Sequence, residues 1–276
     1  MPILDLNDAG GYLHFDRTQC VREGKARADE YQNAKPFPHI VMENFLDAAV
    51  LRRIVTEFPG NDGRSFFDRA QERFKYQFDP NTVESGAVRN LLAELNGEPF
   101  LAFLSEMTGI TGLISDPYYN GGGLHETLAG GHLSVHADFN IHGTMQVERR
   151  LNLLVYLNDD WEADFGGELE LWDRDMTRAE VRVAPLLGRA VVFSTTLESY
   201  HGQPDPVRCP PDRSRRSIAT YYYTALPAQS DLPARTTTFQ NRPESGDKTD
   251  WTIRMNHLID DWVPRRLQKF ARRMVR

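Results

Sequence analysis

The chain has 276 residues, 40% of them hydrophobic, which excludes global disorder and suffices for one large domain or two small ones. A net charge of −7 makes nucleic acid a poor default partner, although Arg265, Arg266, Lys269, Arg272, Arg273 and Arg276 leave the last stretch purely basic. Two cysteines, Cys20 and Cys209, without a C-x-x-C spacing exclude a thiolate zinc site and fit a reduced, cytoplasmic protein; no apolar run reaches membrane-span length, and the opening residues lack the basic and apolar regions of a signal peptide.

Residues 1–36 are mixed and polar, with no clear period. Phe37–Met42 reads as a short strand. Asp47 is placed to cap a helix whose apolar stripe is Val50, Leu51, Ile54, Val55 and Phe58, ended by Pro59-Gly60. Residues 60–86 read as a long polar loop. Helices are expected over Ala87–Leu95 and over Pro99–Met107, the second stopped by Gly109.

Beyond residue 110 the period changes. Leu151–Leu157, Glu168–Trp172, Val181–Ala184, Arg189–Ser194 and Ser217–Thr224 are short apolar, alternating or β-branched runs separated by Gly, Pro and Asp turns. No long helices interleave them, so a parallel α/β sheet is disfavoured. Residues 227–249 read as a surface loop. Residues 250–276 read as a basic amphipathic helix bearing Leu258, Ile259, Trp262, Leu267, Phe270 and Met274, with Pro264 as a kink.

The stretch Gly130–Asn140 (GGHLSVHADFN) carries the chemistry. On an extended chain, His136 and Asp138 project to one side and can grip one ion. His201 follows the 189–194 strand, where a sheet can return it to the same place. Two histidines and one carboxylate on one face of an octahedron leave three positions open, the ligand set of non-haem Fe(II) oxygenases. An HxD triplet is weak alone, and His132 with His136 could bind zinc on a helix, but Gly130-Gly131 speak against a helix there. Arg215 and Ser217 share the next strand's face, where a guanidinium fork beside a hydroxyl suits a carboxylate. The competing reading is a solvated basic turn of Arg213, Arg215 and Arg216.

These motifs together resemble the prolyl-4-hydroxylase-like branch of the 2-oxoglutarate/Fe(II)-dependent dioxygenases. The order is His136-Ala137-Asp138, Tyr156-Leu157-Asn158, Gly166-Gly167-Glu168-Leu169, His201-Gly202 and Arg215-Arg216-Ser217. The resemblance covers residues 110–225. It implies a mainly β protein with helical flanks: a double-stranded β-helix, or jelly roll, at 110–225, supported by helices and a strand in 1–109 and by the C-terminal helix at 250–276, within a single domain of 1–276. It implies Fe(II) on His136, Asp138 and His201, and 2-oxoglutarate as cosubstrate with its 5-carboxylate on Arg215. Ser217 and Tyr156 are candidates for the same carboxylate, and Asn152, on the strand face of Tyr156, is a further candidate contact. Where some relatives carry a tyrosine about ten residues before the HxD motif, this chain has His125-Glu126. The implied reaction is hydroxylation of a C–H bond with release of succinate and CO2, with ascorbate as candidate reductant. A small residue in place of Asp138 would open a halide position, so halogenation is disfavoured.

A cupin-like metal-binding jelly roll, acting as an isomerase or sugar-binding module, is the alternative; it would leave Arg215-x-Ser217 without a role. The substrate, peptidyl or small-molecule, is beyond the sequence. Loops 60–86, 139–150 and 203–214 are expected to shape the entrance. Arg149, Arg150 and His142 read as solvated loop residues, with contact to an acidic group as the second reading. The basic C-terminal helix is expected to pack through Leu267, Phe270 and Met274, with docking to membrane lipid or an acidic partner as the second reading.

Overall fold

The computed structural model describes residues 1–60, 64–227, 233–247, 251 and 255. A hairpin of β1 (Leu6–Ala9) and β2 (Tyr12–Phe15) turns on Gly10 and Gly11, both at positive φ. It leads into α1 (Arg17–Ala26), whose first turn is capped by the Asp16 carboxylate on the Gln19 amide, and α2 (Ala28–Asn33). The strand β3 (His39–Met42) precedes α3 (Ala48–Thr56), which Asp47 caps through the Ala49 amide. A second hairpin follows, β4 (Arg64–Arg69) and β5 (Glu72–Phe78), then α4 (Gly86–Leu95) and α5 (Glu98–Thr108). Gly109 ends α5 in the left-handed conformation, at φ 75°.

The rest is β: β6 (Ile114–Ser115), β7 (Gly123–Ala137), β8 (Val147–Tyr156), β9 (Leu169–Trp172), β10 (Ala179–Val183), β11 (Ala190–Ser194), β12 (His201–Gln203), β13 (Ser214–Ala225) and β14 (Thr238–Phe239). The strands expected from residue 151 onward and the helices expected at 47–58, 87–95 and 99–107 are present within a few residues. Three expectations need correction. Residues 1–36 hold a hairpin and two helices, residues 64–78 form a hairpin instead of a loop, and the loop expected at 227–249 contributes β14. The expected helix at 250–276 lies outside the described residues, apart from Trp251 and Met255.

All pairings between these strands among the described residues are antiparallel, in the order β10-β9-β12-β7-β13-β8-β11-β3, with β5 and β14 also on β7. The strand β7 serves two layers. Its first half pairs with β13 and β5, and its second half pairs with β12 and β14. The chain therefore bends from one sheet into the other, the behaviour of a jelly roll.

Period-2 alternation separates two cores. Leu151, Leu153 and Val155 of β8, Ala190 and Val192 of β11, and Ile218 and Tyr222 of β13 point outward. There they join Leu51, Ile54, Leu91, Leu92, Leu95, Phe100 and Phe103 of the helices in one buried cluster. The alternate residues Tyr156, Val191 and Phe193 face inward against Leu169, Leu171 and Val183 of the opposite layer. Wide apolar helix stripes of this kind have no stable place except against such a sheet face. Among the described residues, no helix is long and apolar enough to cross a membrane.

Candidate metal and cosubstrate site

Strand register brings the histidines together. His136, near the end of β7, pairs directly with His201 at the start of β12, and the two rings lie 4.5 Å apart between centroids. The Nδ1–H of His136 donates to the Ser134 carbonyl at 2.8 Å, and that of His201 to the Ser199 carbonyl at 2.9 Å. A carbonyl only accepts, so the proton sits on each Nδ1 and the Nε2 lone pairs are left free. Both aim at Asp138: His136 Nε2 lies 3.6 Å from Oδ1 and His201 Nε2 3.4 Å from Oδ2. The candidate ligand atoms of His136, Asp138 and His201 all fall within 4.8 Å of one another, in buried surroundings. Burial pushes the Asp138 carboxyl up, but Arg149 and the two histidines overcome this and hold it well below the usual carboxylate range. Burial, with His136 beside it, lowers His201, which keeps the ring neutral as a ligand must be.

Beyond the triad lies a cavity of about 550 Å³ lined by residues of β4, β5, β7, β13 and β14. Cross-strand rows build its wall. Lys75, Thr127 and Arg215 align across β5, β7 and β13, and Gln77, His125, Ser217 and Tyr156 align across β5, β7, β13 and β8. Arg215 is buried, and its Nε donates to the Gly167 carbonyl at 2.6 Å. Gly167, at φ 75°, could not carry a side chain: a Cβ there would stand 3.0 Å from Arg215 Cδ. No acidic group pairs with Arg215 among the described residues. Burial lowers its affinity for the proton, and only Tyr156 beside it works the other way. The guanidinium carbon stands 5.0 Å from the Tyr156 ring, and the buried Tyr156 hydroxyl has no hydrogen-bond partner among the described residues.

An unpaired buried cation next to an orphaned buried hydroxyl is costly unless an anion completes it. The donor set thus fits a dicarboxylate on this wall and a divalent metal on the triad. Arg216, one position on, turns to the other face and pairs with Glu126 at 3.0 Å. Arg213 donates to the carbonyls of Asp159 and Asp160. His125, which stands where some relatives have tyrosine, lines the cavity and reaches the Gly121 carbonyl through Nε2 at 3.1 Å.

Three residues take partners within the protein beyond those the sequence suggested. Asn152 faces the cavity, but its amide is committed: Nδ2 donates to Asp138 Oδ2 at 2.8 Å, and Oδ1 accepts from Arg149. Arg149, expected in a solvated loop, is buried, with Nη2 2.9 Å from Asp138 Oδ2. A β-bulge explains the change. Tyr222 opposes Leu151 and Tyr223 opposes Arg149, so Arg150 is an extra residue that turns Arg149 onto the face of Asn152. With the strand expected only from Leu151, Arg149 falls in a loop; the strand starts at Val147, and only its spacing against β13 turns Arg149 inward. His142 is also buried, with Nε2 3.4 Å from Asp116 Oδ1. Arg150 reaches the Thr224 hydroxyl at 3.3 Å. Of the loops expected at the entrance, 60–86 supplies hairpin residues such as Lys75 and Gln77, 139–150 supplies Phe139 and Arg149, and 203–214 supplies Gln203.

A jelly roll with a His-x-Asp…His cluster opening onto a cationic cavity defines the class of Fe(II)- and 2-oxoglutarate-dependent oxygenases. Residues 122–223, rather more than a third of the chain, match the family model of the 2OG-Fe(II) oxygenase superfamily, and this stretch holds the triad and Arg215. The fold is similar to that of a prolyl hydroxylase from Trichoplax adhaerens, solved in complex with a hypoxia inducible factor oxygen degradation domain peptide fragment. The TM-score there is 0.56 at 17% identity, over 75% of this chain and 91% of that one. It is also similar to prolyl 4-hydroxylases from Phytophthora capsici, with TM-score 0.51 and 17% identity over 83% of this chain and 70% of that one. No curated protein sequence matches the chain.

Proposed function

We propose that the protein hydroxylates a C–H bond of a small-molecule or peptidyl substrate, with Fe(II) on His136, Asp138 and His201 and the distal carboxylate of 2-oxoglutarate on Arg215, Tyr156 and Ser217. The observation that carries this reading is Arg215: a buried guanidinium without an acid among the described residues, facing the same cavity as the triad. A metal-binding jelly roll without oxygenase chemistry would have no use for it. When bound, the metal supplies the redox chemistry that couples loss of CO2 from 2-oxoglutarate to oxidation of the substrate. The chain's own part is geometric. The two Nδ1–H donors fix both imidazoles with Nε2 inward, Arg215 sets the direction of the cosubstrate, and the cavity walls exclude water. Asp138 leaves no vacancy for a halide, which favours hydroxylation. Peptide recognition rests on the likeness to the Trichoplax fold. We assign ascorbate as reductant and a cytoplasmic location, the latter because Cys20 and Cys209 are both free and buried.

The test is succinate production from 2-oxoglutarate by the Fe(II)-loaded protein, screened against peptides, amino acids, saccharides and secondary metabolites. His201→Ala is expected to abolish turnover and metal uptake together; full activity in that variant would overturn the ligand assignment.

A further inference from the structure

The two oxygens of Asp138 are not equivalent. Oδ2 accepts the Asn152 amide at 2.8 Å and is paired with the Arg149 guanidinium at 2.9 Å, with His201 Nε2 3.4 Å away, whereas Oδ1 meets neither of these donors and faces His136 Nε2 at 3.6 Å. Arg149 is itself held on every side. Its Nε and Nη2 donate to Asn152 Oδ1 at 2.9 and 2.7 Å, and its guanidinium lies 3.5 Å over the Tyr221 ring and 4.6 Å from the Phe139 ring. Tyr221 is anchored in turn by its hydroxyl on the Gly121 carbonyl at 2.8 Å. The bulge at Arg150 exists in the same place and has the effect of delivering this guanidinium to Asp138. A buried arginine costs desolvation, so its placement against one oxygen of one carboxylate calls for a role.

We infer that Arg149 and Asn152 are positioning residues that occupy Oδ2, restrict Asp138 to one-oxygen coordination through Oδ1, and so keep open the positions that 2-oxoglutarate needs. The inference rests on the metal assignment above. A carboxylate free to chelate through both oxygens would fill a fourth position of the octahedron, leaving two where three are required for both cosubstrate oxygens and a further ligand. Removing Arg149 is then expected to spare metal binding and damage cosubstrate binding, the opposite of removing a ligand.

The experiment uses Co(II), read by its visible spectrum, with affinities of Co(II) and then of 2-oxoglutarate measured by calorimetry. In Arg149→Met we expect Co(II) affinity within about threefold of wild type, an altered Co(II) spectrum before cosubstrate is added, and at least tenfold weaker 2-oxoglutarate binding. Arg215→Ala, the control, should weaken 2-oxoglutarate binding with an unchanged Co(II) spectrum. Arg149→Lys keeps the charge but not the fork that spans Asp138 and Asn152, so it should behave as Arg149→Met does. A wild-type spectrum in Arg149→Lys would make the effect one of charge and overturn the inference. If Arg149→Met does not fold, Asn152→Leu is the deciding variant, with the same spectral change and weakened cosubstrate binding expected. Wild-type spectrum and wild-type 2-oxoglutarate affinity in the folded variant overturn the inference alone. A wild-type protein that takes up no Co(II), or a His201→Ala protein that takes it up normally, overturns the site assignment and this inference with it.

Discussion

Single side chains on β13 take opposite roles through strand alternation alone. Arg215 points between the sheets with no acid to meet it among the described residues, and Arg216 points outward to Glu126. Arg215→Ala should therefore raise the 2-oxoglutarate requirement steeply, because losing a desolvated charged contact costs about 2–5 kcal/mol. Arg216→Ala removes a partly exposed pair and should leave that requirement within about twofold of wild type, since such pairs contribute roughly 0–1 kcal/mol. Saturation curves for 2-oxoglutarate distinguish the two, and equal curves for Arg215→Ala and wild type would dismiss the anchor. Tyr156 gives a sharper case. Its buried hydroxyl has no hydrogen-bond partner among the described residues, so Tyr156→Phe should leave the ligand-free protein as stable as wild type or more so. The same change should weaken 2-oxoglutarate binding by about 1.5–3 kcal/mol, the contribution of a hydrogen bond to a charged group. Melting temperature with and without cosubstrate reads both signs at once; a loss of stability without ligand would show that the hydroxyl serves the fold.

Among the elements, those with apolar periodicity on one face were legible, and those whose inward face is polar were not. The 151–157, 189–194 and 217–224 strands announce themselves because one face packs against helices: Leu151, Leu153, Val155, Val192, Ile218 and Tyr222 are fully or almost fully buried there. The β4–β5 hairpin hides because its inward residues, Ser65, Lys75 and Gln77, line a polar cavity, so burial and hydrophobicity part company where function begins. The same holds for β7, which read only as an extended stretch around the HxD motif, since Thr127, Glu126 and His125 break its apolar pattern. Arg149 was expected in a loop because the apolar run begins only at Leu151; β8 begins at Val147, and the bulge at Arg150 turns Arg149 inward. Where β7 bends from one layer to the other, Gly131 lies under β5. A Cβ there would meet Thr127 Cγ2 at 2.6 Å and the Arg73 carbonyl at 2.7 Å. Backbone cannot yield as a side-chain tip does, so Gly131→Ala should destabilise by about 1–3 kcal/mol, as overpacking does. That corresponds to a drop of roughly 2–12 °C in Tm at this size. An unchanged melting curve would mean that the hairpin rides on β7 loosely.

The molecule as a whole carries −7, yet its cavity collects buried or half-buried cations, Lys75, Arg149 and Arg215, near the His125 imidazole. His125 sits in the same cross-strand row as Ser217 and Gln77, with Lys75 and Arg215 in the next. Burial first, and Lys75 second, hold its pKa well below the usual 6.5. Above about pH 6.5 the ring is neutral whether the chain is folded or not, and His125 adds no pH dependence. Below it, the unfolded chain takes up a proton that the folded chain refuses, so the unfolded state binds more protons and stability falls as pH falls. The slope approaches about 1.4 kcal/mol per pH unit for one such group until the folded ring also titrates. His201, lowered by burial and by His136, slopes in the same direction, so the informative quantity is a difference between two proteins. His125→Gln cannot take the proton but keeps an amide donor for the Gly121 carbonyl, the partner of His125 Nε2. Denaturant midpoints measured from pH 7.5 to pH 5 should fall less steeply in His125→Gln than in wild type, with the two curves diverging only below about pH 6.5. Parallel curves over that range would show that the ring is protonated in the folded cavity despite Lys75 and Arg215.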